Sequence, residues 1–276
     1  MKNELMEVFL NDNQARFSAE TTRGYRIALK QFFSFCSKPF DQIKAIDIRV
    51  WMNSMEEKGL KPTSIHLKLS AVKSFYRYCM EENIVKKNPS LIVKTPRIDD
   101  SLPYYLSRRQ VTLLQELTKS DPQARAMVEA LYTTGVRISE LLNIKLVDVK
   151  WDTRQIWIKE GKGTNERFVL FTHECAVRLK AYLNERKIKS DFLFCNSRGG
   201  KIDRDYVQKQ FRKYTKTLGF RVTPHTMRHT FAAHLAERNM PQAYIQDLLG
   251  HVNFNSTRIY TRLMEHARKK KYDQYQ

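Results

Sequence analysis

The chain has 276 residues, of which 42% are hydrophobic, and no apolar run is longer than four residues. Because a transmembrane helix needs about 20 consecutive apolar residues, the sequence predicts a soluble globular protein with about two domains. The 49 Lys and Arg residues against 29 Asp and Glu residues give a net charge of +20. Nucleic acid is the expected partner, because each phosphate that a cation neutralises releases condensed counterions.

Two features predict a cytoplasmic location. The first ten residues show neither a signal peptide nor a myristoylation signal, which makes a membrane surface the weaker alternative partner. The four cysteines are widely spaced, with no C-x-x-C pair, which argues against both a zinc ribbon and a disulfide framework. They are Cys36, Cys79, Cys175 and Cys195.

Residues 1–88 have a helical pattern throughout and predict an all-α bundle of about four helices. One helix follows Ser18, a second ends at Gly59, and a third begins at Pro62. Apolar residues recur at helical spacing within them. The periodicity turns four basic residues outward as DNA-binding candidates: Lys30, Lys68, Lys73 and Arg77.

Residues 89–106 form the predicted linker, because Pro89, Pro96 and Pro103 are too closely spaced for a helix. The charge is unequal on its two sides. Residues 1–100 carry 17 basic and 12 acidic side chains, a net +5, which leaves +15 for the rest of the chain. The second domain therefore has the stronger positive field.

Residues 107–276 predict a mainly helical domain with a small antiparallel sheet and a basic C-terminal tail. Helix starts are expected at Ser107, at Asp121 and at Thr223, and Gly135 is the expected end of a helix. Alternating apolar residues at 155–159 and 167–171, separated by a Gly-rich turn, indicate a β-hairpin. Residues 191–195 are a candidate for one more short strand.

Arg137 and Glu140 stand three residues apart at a predicted helix start, where a carboxylate can hold a guanidinium rigid. Taken alone, the more common interpretation of such a pair is a weak surface ion pair. Lys162, between two glycines in the hairpin turn, could reach a phosphate. An ordinary solvated turn explains it equally well, and the segment lacks the spacing of a Walker loop.

The segment 223–260 contains the third polar cluster. Thr223 and Pro224 start a helix, which places His225 and Arg228 on one face of its first turn, where the helix dipole favours an anion. The spacing of His225 and His229 also suggests zinc, but Thr226 stands where H-E-x-x-H has its Glu. His229 is better interpreted as a supporting residue. A single tyrosine is more often half-buried structure than a nucleophile.

Taken in order, these motifs resemble the tyrosine recombinase (phage integrase) family in its compact Xer-like form. The resemblance covers about residues 107–265, and the N-terminal bundle resembles the core-binding domain more loosely through S-x-x-T-x-x-x-Y. The matching motifs are T-G-x-R-x-x-E-L around Arg137, Lys162 in its turn, H-x-x-R-H from His225, L-L-G-H ending at His251, and Tyr260 nine residues later.

The resemblance implies site-specific DNA strand exchange, in which Tyr260 attacks a phosphodiester and forms a 3′-phosphotyrosyl intermediate. Arg137 and Arg228 would then stabilise the transition state, with Lys162 as general acid. His225 would contact the phosphate or take the tyrosine proton, and His251 would donate to a nonbridging oxygen. Glu140 would orient Arg137 or His225. No metal, ATP or other cofactor is expected, because cations of the chain neutralise the phosphate.

The expected partners are double-stranded DNA with a specific recombination site and further recombinase subunits, the same or related, in a tetramer on two sites. Element resolution, integration or excision, and chromosome-dimer resolution all use this chemistry. Three other hypotheses stay open: a DNA-binding regulator that does not cut, a type IB topoisomerase, and a nuclease. The intact set of polar residues disfavours the first, and the missing metal ligands disfavour the last.

Overall fold

The computed structural model describes residues 2–97, 102–159, 166–250, 260, 263–264, 269 and 272–273. The chain divides into two compact units, residues 1–100 and residues 101–276. Each unit has a hydrophobic core built from its own residues. In the described part of the chain, no helix combines the length and the apolar character needed to cross a membrane.

The N-terminal unit is an all-α bundle, as predicted. Two of its helices begin where the sequence predicts. The Ser18 side chain accepts a hydrogen bond from the Thr21 N–H at the start of the second helix, and Pro62 lies in the first turn of the fourth. A short 3₁₀ turn at Phe40–Gln42 precedes the third helix. The helices are α1 (Lys2–Asp12), α2 (Ala19–Phe35), α3 (Ala45–Glu57) and α4 (Pro62–Glu81).

Aromatic side chains fill the core of this bundle. Phe75 packs edge-to-face against Phe9 at 5.7 Å and against Phe33 at 5.3 Å between ring centroids. Some apolar residues of these helices lie at the surface, because a bundle helix buries only a stripe of its side chains. Three of them are exposed: Ile27, Phe35 and Leu67.

The C-terminal unit combines seven described helices with one small sheet. The helices are α5 (Arg108–Leu117), α6 (Pro122–Thr134), α7 (Ile138–Leu141), α8 (His173–Glu185), α9 (Arg204–Leu218), α10 (Pro224–Glu237) and α11 (Gln242–Leu249). The strands are β1 (Val149–Lys150), β2 (Gln155–Ile158) and β3 (Arg167–Leu170). The predicted fold class, mainly α with a small antiparallel sheet, is confirmed.

The sheet has the order β1-β2-β3, and all its pairings are antiparallel. The predicted hairpin is present, with Ile156 opposite Val169 in the buried layer and Trp157 opposite Phe168 outside. Sequence patterning did not reveal β1, which is only two residues long. Residues 191–195 do not form a regular strand, and Phe192 makes only an isolated bridge to Lys145.

Helix ends position the segments that carry the polar motifs. Ser107, Asp121 and Thr223 each cap a helix by accepting a backbone N–H, as predicted. Gly135 ends α6 in the left-handed region, and a Cβ there would lie 2.2 Å from the Phe231 ring. Only glycine therefore fits at the turn that leads into Arg137. The four cysteines are buried and free.

Candidate active site

Arg137 is the N-cap residue of α7 and is held by Glu140. Its backbone N–H donates to Glu140 Oε2 at 2.7 Å, and its Nη1 donates to Oε1 at 2.8 Å. The Arg137 side chain is 36% exposed, whereas that of Glu140 is 7% exposed. A buried carboxylate thus anchors a guanidinium that reaches the surface, which is a different arrangement from a solvated ion pair.

Arg228 lies in the second turn of α10 and is buried. Its Nη1 donates to the Gly135 carbonyl and its Nη2 to the Leu249 carbonyl, both at 2.6 Å. Nη1 also lies 4.0 Å from Glu140 Oε2. Burial and the nearby charge of Arg137 lower the pKa of Arg228 to about 9, so the guanidinium is still charged at neutral pH.

Arg167, at the start of β3, is a component of the site that the sequence analysis missed. Its Nη1 and Nη2 donate to the two oxygens of Glu140 at 3.2 and 2.9 Å, and its Nε donates to the Leu248 carbonyl at 2.9 Å. A signal was available in the sequence. Period-two alternation places Arg167 on the face of the buried Val169, where an unpaired charge is unfavourable.

Glu140 is the carboxylate on which the three arginines converge. Burial alone would raise its pKa, but hydrogen bonding and charge from Arg167, together with the bonds from Arg137, outweigh burial and lower it. The group is therefore ionised at neutral pH. Three guanidinium groups and one carboxylate give this cluster a net charge of +2.

Tyr260 lies beside this cluster and is only 2% exposed. Its hydroxyl lies 2.5 Å from Nδ1 of His229, and the direction of that hydrogen bond depends on the imidazole tautomer. Burial raises the pKa of Tyr260, while the charge of Arg228 lowers it. Because burial prevails, the phenol is neutral at neutral pH, and removing its proton requires a base.

His225 packs edge-on against His229, with 4.2 Å between their ring centroids. It lies in the first turn of α10 and reaches solvent. Partial burial, followed by the charges of Arg228, Arg221 and Arg137, lowers its pKa. His225 is therefore a neutral imidazole at neutral pH.

The structure brings six of the singled-out residues into one connected group: Arg137, Glu140, His225, Arg228, His229 and Tyr260. Lys162 and His251 lie outside the described residues. In the N-terminal unit, Lys30 and Arg77 are exposed, whereas Lys68 and Lys73 are half-buried. Lys68 donates to Gln31.

The chemistry available to this group is anion binding next to a protonated phenol. Planar guanidiniums fixed by buried acceptors suit the nonbridging oxygens of a phosphate. Among the described residues, no cluster of three or more His, Cys, Asp or Glu side chains could hold a metal ion.

Comparisons with known proteins agree with these features. The model of the phage integrase family matches residues 105–266. The model of the phage integrase N-terminal SAM-like domain matches residues 9–83.

One relative and two solved structures illustrate the similarity. Tyrosine recombinase XerC of Bacillus pumilus (strain SAFR-032) is 31% identical over 294 residues, which cover 98% of this chain and 95% of the relative. The crystal structure of XerA recombinase is 32% identical, covers 99% of this chain and 98% of its own, and has a TM-score of 0.57. The crystal structure of XerH bound to its difH substrate is 25% identical and has a TM-score of 0.70. The match covers 97% of this chain and 84% of the XerH chain.

Proposed function

The chain belongs to the phage integrase family of site-specific tyrosine recombinases, and we propose that Tyr260 is the nucleophile with which it cleaves and rejoins DNA. The Tyr260 oxygen forms a bond to the scissile phosphorus, and the bond from phosphorus to the 5′-oxygen breaks. The products are a 3′-phosphotyrosyl enzyme and a 5′-hydroxyl. The burial of Tyr260, its hydrogen bond with His229 and the nearby positive charge of Arg228 support this assignment.

Rejoining is the same step in reverse. A 5′-hydroxyl from a partner strand attacks the phosphotyrosine, restores a phosphodiester and releases the phenol of Tyr260. Because the phosphoryl bond is kept in the enzyme, neither ATP nor a hydrolytic water is consumed. Strand exchange follows when the attacking strand comes from a second DNA site.

Arg137 and Arg228 bind the nonbridging oxygens of the scissile phosphate in this proposal. A pentacoordinate phosphorus gathers two negative charges, and the arginine cluster with Glu140 supplies a net charge of +2. The described hydrogen bonds of Arg228 use two of its N–H donors and leave others for a ligand. The fixed guanidiniums need little reorganisation during the reaction.

Two protons move during cleavage: one leaves the phenol of Tyr260, and another is donated to the leaving 5′-oxygen. The hydrogen bond between Tyr260 and His229 supports His229 as the group that first accepts the phenolic proton. His225, a neutral imidazole next to it, contacts the phosphate or passes that proton on. Lys162 protonates the leaving 5′-oxygen, and His251 donates to a nonbridging oxygen. Both roles rest on the family resemblance.

The proposed partners are duplex DNA with a specific recombination site and further recombinase subunits, in a cytoplasmic tetramer on two sites. The solved XerH complex contains its difH substrate, which supports DNA of this kind as the ligand. Lys30, Lys68, Lys73 and Arg77 are the proposed phosphate contacts of the N-terminal unit, residues 1–88 its DNA-binding domain, 89–106 the linker and 107–276 the catalytic domain. Element resolution, integration or excision, and chromosome-dimer resolution are the candidate roles.

Cleavage of a recombination site that already carries a nick tests the proposal. The short fragment between the nick and the cleavage point is lost, which prevents rejoining and traps the covalent complex. The site is obtained by selecting genomic fragments that the purified protein retains. We expect the protein to form a denaturant-resistant adduct, and Tyr260→Phe to bind the same DNA with unchanged Kd and form none. An adduct that persists in Tyr260→Phe would contradict the assignment. Relaxation of plasmids without the site would instead indicate topoisomerase activity.

A further inference from the structure

We propose that Arg167 is a positioning residue of the recombination site, which fixes Glu140 and the end of α11 and through them both phosphate-binding arginines. This inference rests on the proposed function. All three nitrogens of the buried Arg167 guanidinium donate to Glu140 or to the Leu248 carbonyl. Arg167 therefore acts through the groups that it holds.

Arg167 connects three elements that are far apart in the sequence. From β3, its Nη atoms reach both oxygens of Glu140 in α7, and its Nε reaches the Leu248 carbonyl in α11. The next carbonyl, that of Leu249, accepts from Arg228 Nη2. A shift of Arg167 would therefore release the Arg137 anchor and one of the two carbonyls that hold Arg228.

Charge balance indicates a functional role for this arginine beyond stability. Glu140 is the carboxylate shared by three guanidiniums, and a third cation adds repulsion to Arg137 and Arg228. In α6, by contrast, Arg125 lies 3.2 Å from one carboxylate, that of Glu129, so that pair is balanced. The excess charge of the Glu140 cluster is useful only when an anion binds there.

Gly250 provides the space that Arg167 occupies. It ends α11 with φ +62°, and a Cβ would lie 2.8 Å from Arg167 Nη1 and 2.9 Å from Cζ. Three hydrogen bonds keep that guanidinium from moving aside. Gly250→Ala would therefore displace Arg167 without removing its charge.

The first test compares Arg167→Gln, Arg167→Lys and wild type on a pre-bound nicked recombination site. We expect single-turnover cleavage to fall between about 10- and 100-fold in Arg167→Gln, because a small misplacement of reacting groups is enough. Arg167→Lys should recover only part of the rate, since an ammonium cannot hold both Glu140 oxygens and the Leu248 carbonyl. The Kd for DNA should stay unchanged in both variants.

The pH profile separates positioning from a loss of stability. Glu140 faces Arg137 from its own turn, Arg167 from β3 and Arg228 from α10. Without Arg167, burial raises the pKa of Glu140, so cleavage by Arg167→Gln should begin to decline at a higher pH than wild-type cleavage does. The double variant Glu140→Gln, Arg167→Gln should lack that shift, because its titrating carboxylate is gone.

The second test pairs Gly250→Ala with Gly219→Ala. Both glycines end helices in the left-handed region, but a Cβ at Gly219 meets nothing within 4 Å. Both variants should therefore lose Tm from backbone strain, and only Gly250→Ala should lose cleavage rate. Arg125→Gln is the control for loss of a buried ion pair and should cleave bound DNA at the wild-type rate.

Two results would overturn the inference. One is wild-type cleavage by Arg167→Gln; the other is equal loss of cleavage in Gly250→Ala and Gly219→Ala. If Arg167→Gln fails to fold, the glycine pair decides the question. A wild-type protein that forms no adduct would instead contradict the proposed function, which keeps the two failures distinguishable.

Discussion

Arg228 has two roles, since it bonds to the protein backbone and is proposed to bind the phosphate. Two backbone carbonyls, those of Gly135 and Leu249, accept hydrogen bonds from its Nη atoms, and the proposed phosphate needs its remaining donors. A lysine can approach one of these acceptors but cannot span both while facing a phosphate, because its ammonium is a single point charge.

We therefore predict that Arg228→Lys lowers single-turnover cleavage of bound DNA by about 100-fold or more, with little change in Kd. DNA affinity comes mainly from many backbone contacts, so one buried cation contributes little to it. Cleavage of a nicked site and a binding titration measure the two quantities separately. Equal losses in rate and affinity would show that Arg228 contributes to binding before the transition state.

Individual residues also show what the sequence could and could not reveal. The pairing of Arg137 with Glu140 was predictable, because the two are three residues apart at a helix start. The contact between Arg167 and Glu140 joins residues 27 positions apart, and that of His229 with Tyr260 joins residues 31 apart. Such contacts depend on how the elements pack, which local patterning does not determine.

Among the elements, the turn from α6 to α7 has the tightest steric requirement. Gly135 has φ +63°, and a Cβ would lie 2.2 Å from Phe231 Cδ1 on α10. The left-handed backbone costs about 1–2 kcal/mol for a residue other than glycine, and overpacking a core typically costs about 1–3 kcal/mol more.

We predict that Gly135→Ala lowers the free energy of unfolding by about 2–5 kcal/mol, the sum of strain and overpacking. Gly219→Ala, with the same backbone strain and open space around its Cβ, should lose only about 1–2 kcal/mol. Urea unfolding of both variants measures the difference. Equal losses would mean that Phe231 moves aside without cost.

Element boundaries were predictable where a local hydrogen bond or a fixed φ decides them. Ser107, Asp121 and Thr223 begin helices because their side chains accept backbone N–H groups nearby. β1 could not be assigned from local pattern because it is only two residues long. The irregular segment 191–195 could not be assigned because Phe192 bridges to the distant Lys145.

For the whole molecule, the net charge of +20 makes binding to DNA dependent on salt. Arg77 on α4 is exposed and belongs to the proposed phosphate contacts. Lys38, in the same unit, donates to Asp47 at 2.7 Å, so its charge is already balanced.

We predict that Arg77→Gln reduces the slope of log K against log salt by about 1, as expected for one lost phosphate contact. Lys38→Gln should leave the slope unchanged. Titrations with recombination-site DNA at several salt concentrations measure both. An unchanged slope for Arg77→Gln would remove Arg77 from the proposed DNA surface.

The position of the covalent bond identifies the nucleophile. The adduct trapped on a nicked recombination site is digested with protease and nuclease, and the peptide that keeps a nucleotide is sequenced by mass spectrometry. We predict that Tyr260 carries the 3′-phosphate and that the released strand has a 5′-hydroxyl. A nucleotide attached to any other residue, or linked through a 5′-phosphate, would contradict it.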